Sequence, residues 1–348
     1  MIFLLKYEQI RKIYQFLPVF ILTFLFCYGC SGNDYTILAG NTMGTTYRIK
    51  FFSSSCNNFS TLKNKINQRL DEINQSMSTY IDDSEISRFN RSGEAGKKFY
   101  ISDDFFNVIK VAEKIYHITG GAWDGTIKPL VHLWGFDGSQ FAKHVPEQSL
   151  IEKIVSKTGF NKIEVSEKKF IVKNDVPVTL DLASIAKGYG VDQIAQLIKK
   201  YGISNFIVEI GGEVYASGFK ENGQNWQVGI NNPEKNAGFE KVYKKLSLQN
   251  RALATSGDYR QFFEINGIRY SHVIDPRTGY PVNNGVVSVS ILADKCVLAD
   301  GLATAVMVMG WKQGLALVNS LDGVECLIIT REKDDSFADH TTSGFVTS

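Results

Sequence analysis

Two oxygen-bearing side chains stand four positions apart in one of the most apolar segments of the chain, ADGLATAVMVMG at 299–310. At this spacing Asp300 and Thr304 would share one face of a helix. A buried carboxylate is costly unless it is paired with a cation or binds a metal ion. A carboxylate, a hydroxyl and a backbone carbonyl suit Mg²⁺ better than Zn²⁺, and Mg²⁺ with few protein ligands usually shares its shell with waters and substrate phosphates. The pair therefore predicts either a magnesium site that meets a diphosphate or an ion pair with a buried lysine or arginine.

A second group of polar residues lies in YSHVIDPRTGYPV at 270–282, where His272, Asp275 and Arg277 fall within six residues. The residues DPRTG favour a turn, so Asp275 could simply cap its own turn. His272, near the end of a strand, could equally be a core histidine with a satisfied partner. Because these residues stand together beside the Asp300 helix, they favour a polar centre that folding alone does not require.

The segment VTLDLASIAKGYGVD, which begins at residue 178, places Asp181, Ser184 and Lys187 at a predicted strand-to-helix junction. Free backbone N–H groups at a helix N-terminus favour phosphate binding, although Asp or Ser there is often only a cap. Gly188 and Gly190 follow inside the helix, where each costs about 1 kcal/mol relative to Ala. They indicate close packing or contact with a ligand.

Hydrophobic periodicity predicts the elements that must position these residues. The predicted helices are one with the apolar stripe Leu62, Ile66, Leu70, Ile73 and Met77, one capped by Ser102 and running to Thr119, and further helices over 147–157, 184–201, 299–310 and 311–320. The predicted strands are paired strands over 35–52, a hairpin over 161–173, a hairpin turning at Asn266-Gly267, and single strands at 178–182, 205–210, 286–292 and 324–330. This mixture predicts an α+β (mixed α/β) fold with an antiparallel or mixed sheet core flanked by helices. No linker is evident, so we expect a single domain over 30–348, with two closely packed lobes as a variant.

The N-terminus has the pattern of a secretory signal over residues 1–29. Basic residues precede an apolar run at 13–26, which is short for a membrane span, and Gly29-Cys30 resembles a bacterial lipoprotein cleavage site. We expect Cys30 to be lipidated, with an uncleaved membrane anchor as the alternative. Either version predicts a protein of the cell envelope, anchored at the periplasmic face of the inner membrane.

Composition narrows the function classes. The formal net charge is +2 over 348 residues, so the sequence gives no reason to expect a nucleic-acid partner. The few, widely spaced cysteines indicate neither a disulfide framework nor a zinc site, and Cys296 and Cys326 are predicted to pack in the core.

Eight stretches, taken in order, resemble the ApbE family, the FAD:protein FMN transferases, over nearly the whole mature chain. They are NTMGTTY (41–47), MSTYIDDSEISRFN (77–90), GGAWDGTIKPLVHLWGF (120–136), LDLASIAKGYGVD (180–192), EIGGEVYASG (209–218), LATSGDYRQFF (253–263), YSHVIDPRTGYPV (270–282) and ADGLATAVMVMG (299–310). The resemblance implies an ApbE-like fold. It also implies transfer of FMN from FAD to a threonine hydroxyl of a partner protein, through a phosphoester, with release of AMP.

The resemblance also implies roles for particular residues. Asp300, Thr304 and the backbone carbonyl of Ser184 would bind Mg²⁺. Positions that line FAD in the family are here Met43, Tyr80, Ala122, Trp123, Asp124, Asp181, Lys187 and His272. Recipient proteins of the family are typically subunits of membrane redox complexes, or secreted flavoproteins, that carry a Ser/Asp-Gly-Ala-Ser/Thr-Thr motif.

The chain departs from the family pattern in three places, one of which is EIGGE, where Glu209 and Glu213 stand at positions at which Asn and Asp are common, so no role is carried over to either glutamate. Gly125 stands where proline is frequent, and Ala183-Ser184 replaces two frequent glycines. A backbone carbonyl ligand survives either change, so the metal site is retained while the geometry of the turn changes.

A base must accept the threonine proton. We expect His272 or Asp275, with His272 favoured because the ordinary pKa of histidine lies near neutral pH. A metal-bound carboxylate is the alternative. Tyr80 is expected to stack on the isoalloxazine ring.

Two other functions fit the same residues. One is a Mg²⁺-dependent FAD pyrophosphatase that gives FMN and AMP with water as the attacking group. The other is a lipoprotein that only binds flavin, which the Asp300–Thr304 pair argues against because flavin storage requires no metal.

Overall fold

Fifteen strands and eight α-helices make up the described part of the computed structural model, which covers residues 35–52, 58–137, 144–175, 177–234, 238, 241–258 and 262–347. The strands are β1 (Tyr35–Thr42), β2 (Thr45–Phe52), β3 (Lys98–Tyr100), β4 (Ile163–Ser166), β5 (Phe170–Lys173), β6 (Phe206–Ile210), β7 (Glu213–Ser217), β8 (Trp226–Asn231), β9 (Val242–Leu248), β10 (Arg251–Gly257), β11 (Phe262–Ile265), β12 (Ile268–Ser271), β13 (Val286–Ala293), β14 (Glu325–Arg331) and β15 (Phe337–Thr341). The helices are α1 (Phe59–Met77), α2 (Glu85–Arg91), α3 (Asp103–Ile118), α4 (Lys128–Leu133), α5 (Gln148–Val155), α6 (Ala183–Lys200), α7 (Cys296–Met309) and α8 (Trp311–Asn319).

Eight of the strands form one sheet in the order β1-β2-β6-β7-β10-β13-β14-β15, and every neighbouring pair from β2 onward is antiparallel. Smaller sheets have the orders β3-β5-β4, β11-β12 and β8-β9. Residues Thr36–Ser348 form one compact unit. The predicted α+β fold with an antiparallel core flanked by helices is confirmed.

The two faces of the large sheet are covered differently. Alternate residues of β2 and β6, among them Tyr47, Ile49 and Val208, pack against the apolar sides of α1 and α6. The opposite face carries Val214 and Leu253 and is covered by the apolar side of the β8–β9 pair. Because successive strand residues point to opposite faces, each strand serves both layers.

Most predicted elements are confirmed. All five residues of the predicted α1 stripe are buried, and Ser102 Oγ accepts a hydrogen bond from the backbone N–H of Phe105 at 3.2 Å, as an N-cap should. The Asn266-Gly267 turn has φ values of 51° and 77°, in the left-handed region that this two-residue hairpin requires. Cys296 and Cys326 are buried free thiols, as predicted.

The strand predicted at 178–182 is wrong, because a side chain binds this segment instead of a neighbouring strand. The amide of Asn90 donates to the carbonyl of Leu180 at 2.8 Å and accepts from its N–H at 2.7 Å. The N–H of Asp181 donates to the carbonyl of Gly125 at 2.6 Å. These contacts hold in place the segment that leads into α6, without regular secondary structure.

The predicted signal at 1–29, together with Cys30 and Cys56, lies outside the described residues. Among the residues that are described, no helix is both long and apolar enough to cross a membrane.

Helices α6 and α7 approach each other more closely than ordinary side chains allow. A Cβ atom at Gly188 would lie 2.7 Å from the carbonyl carbon of Cys296 and 2.8 Å from Cα of Val297. Asp192 on α6 also caps α7, since its carboxylate accepts the N–H groups of Cys296 at 2.9 Å and Val297 at 3.1 Å. The helical glycine predicted to mark close packing therefore does so against another helix.

We predict that Gly188→Ala destabilises the protein by about 2 kcal/mol or more, because the new methyl group meets backbone that cannot move aside. Gly190→Ala is the matched control. There the added Cβ would meet the flexible end of Met43, at 2.9 Å from Cε, and we expect a change within about 1 kcal/mol. Urea unfolding measures both variants. A Gly188→Ala protein as stable as the wild type would contradict this account.

Candidate active site

A cavity of about 510 Å³ gathers most of the residues that the sequence singles out. It lies where α6, α7, the ends of β7 and β10, and the loop after α3 meet. Predicted site residues that line it are Tyr80, Ala122, Trp123, Asp124, Asp181, Ser184, Lys187, His272, Asp300 and Thr304. Its volume is that of a pocket for a small-molecule ligand.

Asp300 is the most deeply buried charged group of this cavity, with 3 % of its surface exposed. Its Oδ2 accepts the N–H of Gly188 at 2.9 Å and lies 3.6 Å from Lys187 Nζ. Lys187 Nζ also lies 3.1 Å from Oε1 of Glu213, the first residue of β7. The sequence left open whether Asp300 meets a metal or a basic side chain, and the structure places Lys187 beside it.

The carboxyl groups of this cluster outnumber its ammonium groups. One ammonium group faces two buried carboxyl groups, and Oε2 of Glu213 is a buried oxygen with no hydrogen-bond partner among the described residues. Burial, reinforced by the negative charge of Asp300, raises the pKa of Glu213 to about 8 although Lys187 opposes the shift. Burial also raises the pKa of Asp300. For Lys187, burial would lower the pKa, but attraction to Asp300 and Glu213 outweighs it and the pKa lies above its ordinary value. A further cation would relieve this excess of carboxyl groups.

Oxygen atoms suited to such a cation line the same cavity as Asp300. Thr304, one helical turn further along α7, places Oγ1 3.3 Å from Ser256 Oγ on β10. The Oγ of Ser184 accepts the indole N–H of Trp123 at 2.9 Å. No cluster of three or more His, Cys, Asp or Glu side chains with metal-binding geometry occurs among the described residues. The carboxylate of Asp300 and the hydroxyls of Thr304, Ser256 and Ser184 are oxygen donors of the hard kind that could hold Mg²⁺.

Two of the predicted FAD-lining carboxylates also hold the walls of the cavity in place. Asp124 accepts hydrogen bonds from the N–H and hydroxyl of Thr126, at 2.8 and 2.7 Å, and from the N–H of Phe160 at 3.1 Å. Burial raises the pKa of Asp124. Asp181 accepts the N–H of Ala183 at 2.9 Å at the start of α6 and lies 3.9 Å from Lys128 Nζ.

Tyr80 and Met43 shape the mouth of the site. The ring of Tyr80 is 89 % exposed, and Lys128 Nζ lies 5.9 Å from its centroid. Tyr80 also lines an adjoining cavity of about 580 Å³, and Met43 is found there rather than in the main cavity. Asp181 and Lys187 line both cavities, so the predicted flavin-binding residues follow one continuous surface.

The two candidates for the base have different surroundings. His272 lines the cavity, and its ring centroid lies 6.5 Å from that of Phe136, edge to face. Asp275 is not a lining residue. Its carboxylate accepts the N–H of Arg277 at 2.9 Å and two guanidinium hydrogen bonds from the same residue, each at 2.8 Å. The geometry thus brings His272 to the site and engages Asp275 in its own turn.

Sequence reasoning missed three residues of the site. Glu213, Thr255 and Ser256 line the cavity at the ends of two neighbouring antiparallel strands, β7 and β10. Gly211-Gly212 before Glu213 was a local signal that a strand end lies near a ligand. No sequence signal links β7 to β10, because their pairing depends on the whole sheet.

Comparison with known proteins assigns this arrangement to a family. The model of the ApbE family matches residues 43–328. The chain belongs to the ApbE family. An FAD:protein FMN transferase of Vibrio cholerae is 40 % identical over 310 residues, 88 % of this chain and 91 % of the relative. A protein of the same name from Haemophilus influenzae is 37 % identical over 88 % of this chain and 90 % of the relative.

Solved structures agree with this membership. The flavin transferase ApbE from Vibrio cholerae superposes with a TM-score of 0.81 at 39 % identity, covering 90 % of this chain and 98 % of that one. The Pseudomonas stutzeri flavinyl transferase ApbE, in its apo form, gives a TM-score of 0.80 at 32 % identity, with 89 % and 95 % covered.

The α7 cap generates a prediction about pH. Burial raises the pKa of Asp192 from 3.8 to about 6, even though two backbone N–H groups favour its carboxylate. Between these values the native state keeps a proton that the unfolded chain releases, so the stability contributed by this group falls as the pH rises. We predict that the unfolding free energy of the wild type, minus that of Asp192→Asn, decreases by up to about 3 kcal/mol from pH 4 to pH 6.5. Urea unfolding at several pH values measures it, and a difference that stays constant or rises with pH would contradict the account.

Proposed function

We propose that this protein transfers FMN from FAD to a threonine hydroxyl of a partner protein. The observation that carries the proposal is the buried Asp300 carboxylate, which accepts the N–H of Gly188, faces Lys187 and shares the main cavity of this ApbE-family chain with Thr304. A protein that only binds flavin does not require this concentration of charge, whereas an enzyme that cleaves a diphosphate does require it.

The reaction balances as a phosphoryl-type transfer. The threonine Oγ attacks the phosphorus of the FMN half of FAD, the bond from that phosphorus to the bridging oxygen breaks, and AMP leaves with that oxygen. The threonine proton passes to a base on the enzyme. The product is a threonine–FMN phosphoester.

Mg²⁺ fits the residues present. Asp300, Thr304 and the backbone carbonyl of Ser184 would hold it, and when bound it would neutralise charge on the diphosphate. In a regular helix the N–H of residue 188 is donated to the carbonyl of residue 184. In this chain the N–H of Gly188 donates to Oδ2 of Asp300. This hydrogen bond competes with the helical one and so favours binding of the cation by the carbonyl oxygen of Ser184.

Lys187 supplies fixed positive charge beside the diphosphate site. Its ammonium group already lies within 4 Å of two carboxyl groups, at 3.1 and 3.6 Å. Tyr80 offers the isoalloxazine an exposed aromatic face, and Trp123 and Asp124 form the wall behind it.

The base in our proposal is His272. It lines the cavity, whereas the carboxylate of Asp275 is bound by Arg277. The role of Asp275 is to fix the turn that follows His272.

The partner and the location extend the proposal beyond the site. We infer that the recipients carry a Ser/Asp-Gly-Ala-Ser/Thr-Thr motif, as the family resemblance implies. We further infer that the protein is a lipoprotein anchored through Cys30 at the periplasmic face of the inner membrane, which rests on the leader sequence alone.

The first test uses the purified full-length chain in detergent with FAD, Mg²⁺ and a recipient domain that bears the threonine motif. Intact mass spectrometry should show the recipient gaining one FMN minus one water. We expect this gain to disappear with a chelator, and we expect the transfer rate of Asp300→Asn to fall roughly 10²- to 10³-fold, because the variant removes the buried carboxylate that would bind the cation. Free FMN and AMP without a modified recipient would indicate a pyrophosphatase, and intact FAD would indicate a binding protein.

Replacement of the base should separate chemistry from binding. We predict that His272→Gln lowers the transfer rate by roughly 10²- to 10⁴-fold, as loss of a general base does, while FAD affinity changes little. Single-turnover transfer and flavin fluorescence titration measure the two effects. The matched variant Asp275→Asn should lower the melting temperature while the transfer rate stays close to that of the wild type. Full activity of His272→Gln would exclude this base.

The exposed ring of Tyr80 leads to a prediction about the competing hydrolysis. We expect Tyr80→Asn to increase Mg²⁺-dependent release of free FMN and AMP relative to transfer, because the bulky ring shields the diphosphate from water. Chromatographic quantification of FMN, AMP and modified recipient measures the ratio. An unchanged ratio would mean that Tyr80 plays no part in excluding water.

A further inference from the structure

The ammonium group of Lys187 lies beside the carboxylate that would hold the cation. Its Nζ is 3.6 Å from Oδ2 of Asp300 and 3.1 Å from Oε1 of Glu213. All three side chains line the active-site cavity. A divalent cation bound by Asp300 would repel an ammonium group at this distance, and the repulsion is strong because the site is buried. Binding of the cation therefore requires that another acceptor holds the ammonium group.

Glu213 has the capacity to be that acceptor. Its Oε1 already lies closer to the ammonium group than Asp300 does. Its Oε2 is a buried oxygen with no hydrogen-bond partner among the described residues, and Glu213 as a whole is only 4 % exposed. A lysine has three N–H donors, and a buried oxygen without a partner is costly. A second hydrogen bond from Lys187 would therefore stabilise this carboxylate.

The turn between β6 and β7 keeps the stem of Lys187 beside Glu213. A Cβ atom at Gly211 would lie 3.2 Å from Cδ of Lys187 and 2.8 Å from Cγ2 of Thr45. Gly211 also has a φ of 60°, in the left-handed region that glycine adopts without strain. The turn thus makes room for the lysine stem and carries Glu213 two residues later. A small movement at the end of the lysine side chain is enough to exchange one carboxyl group for the other.

The protonation of Glu213 agrees with such an exchange. Burial raises its pKa to about 8, although Lys187 opposes the shift and Asp300 reinforces it. Near neutral pH this carboxyl group is therefore largely protonated. A cation that neutralises Asp300 would remove the repulsion and leave the ammonium group to Glu213. Both changes favour ionisation of Glu213, whose proton passes to solvent.

We propose that Glu213 is a positioning residue of the cation site, which accepts the ammonium group of Lys187 when a divalent cation binds Asp300 and does not itself bind the cation. The proposal rests on the proposed function for the presence of the cation. It gives a role to a buried carboxyl group that the reaction described above does not use.

Calorimetric titration with Mg²⁺ alone tests this role without any reaction. Full-length protein in detergent would be titrated without FAD at pH 9, above the pKa of Glu213. In Glu213→Gln we expect the Kd for Mg²⁺ to rise roughly tenfold or more, because Lys187 then has Asp300 as its one charged partner in the cluster. Glu209→Gln is the matched control. Glu209 belongs to the same EIGGE stretch but lines a different cavity, and its replacement should change the Kd less than about twofold.

A second background distinguishes positioning from direct binding of the cation. In Lys187→Met no ammonium group competes for Asp300, so adding Glu213→Gln should change the Kd less than about twofold. A tenfold effect that persists in the Lys187→Met background would overturn the proposal, because Glu213 would then act on the cation itself. Should Glu213→Gln fail to unfold cooperatively in urea, Glu213→Asp replaces it in the same cycle. That variant keeps the charge on a shorter side chain, so a smaller rise in Kd is expected, again only in the presence of Lys187.

The outcomes separate this inference from the proposed function. Binding of Mg²⁺ by the wild type with an unchanged Kd in Glu213→Gln would overturn the positioning role alone. The expected titrations without any FMN on the recipient domain would overturn the transfer alone. Wild-type protein that binds no Mg²⁺ would overturn the cation of the proposed function and this inference with it.

Discussion

The close contact between α6 and α7 is the constraint on which the site depends. Gly188 lets the two backbones approach, and two aspartates bind across the contact: Asp192 of α6 caps the start of α7, and Asp300 of α7 accepts the N–H of Gly188. Each helix thus fixes the register of the other. A shift of one turn would separate Asp300 from Lys187 and remove Thr304 from the same surface.

This contact explains why a charged cluster survives in an apolar setting. Asp300 is buried because α7 is buried, and its cost is offset by hydrogen bonding to α6 and by attraction to Lys187. Glu213 adds a second carboxyl group from the sheet, and burial raises its pKa to about 8 although Lys187 opposes the shift. In our proposal this site accepts a divalent cation and a polyanionic substrate.

Much of the secondary structure could be predicted from the sequence, because it depends on local interactions. The α1 stripe, the Ser102 cap and the Asn266-Gly267 turn depend on residues a few positions apart, and all three are confirmed. The spacing of Asp300 and Thr304 identified their shared helix face for the same reason. The strand predicted at 178–182 was wrong because the amide of the distant Asn90 binds it. The place of Glu213 in the site could not be predicted, since β7 and β10 become neighbours only when strands far apart in sequence assemble.

The measurement that tests this account most directly is crystallography of the protein with FAD and Mn²⁺, using the anomalous signal of manganese to locate the cation. The account predicts one strong peak within coordination distance of the Asp300 carboxylate and the Thr304 hydroxyl, next to the FAD diphosphate, and its absence in crystals of Asp300→Asn. A manganese peak elsewhere, or an FAD diphosphate bound away from Asp300 with Lys187 still beside that carboxylate, would contradict it.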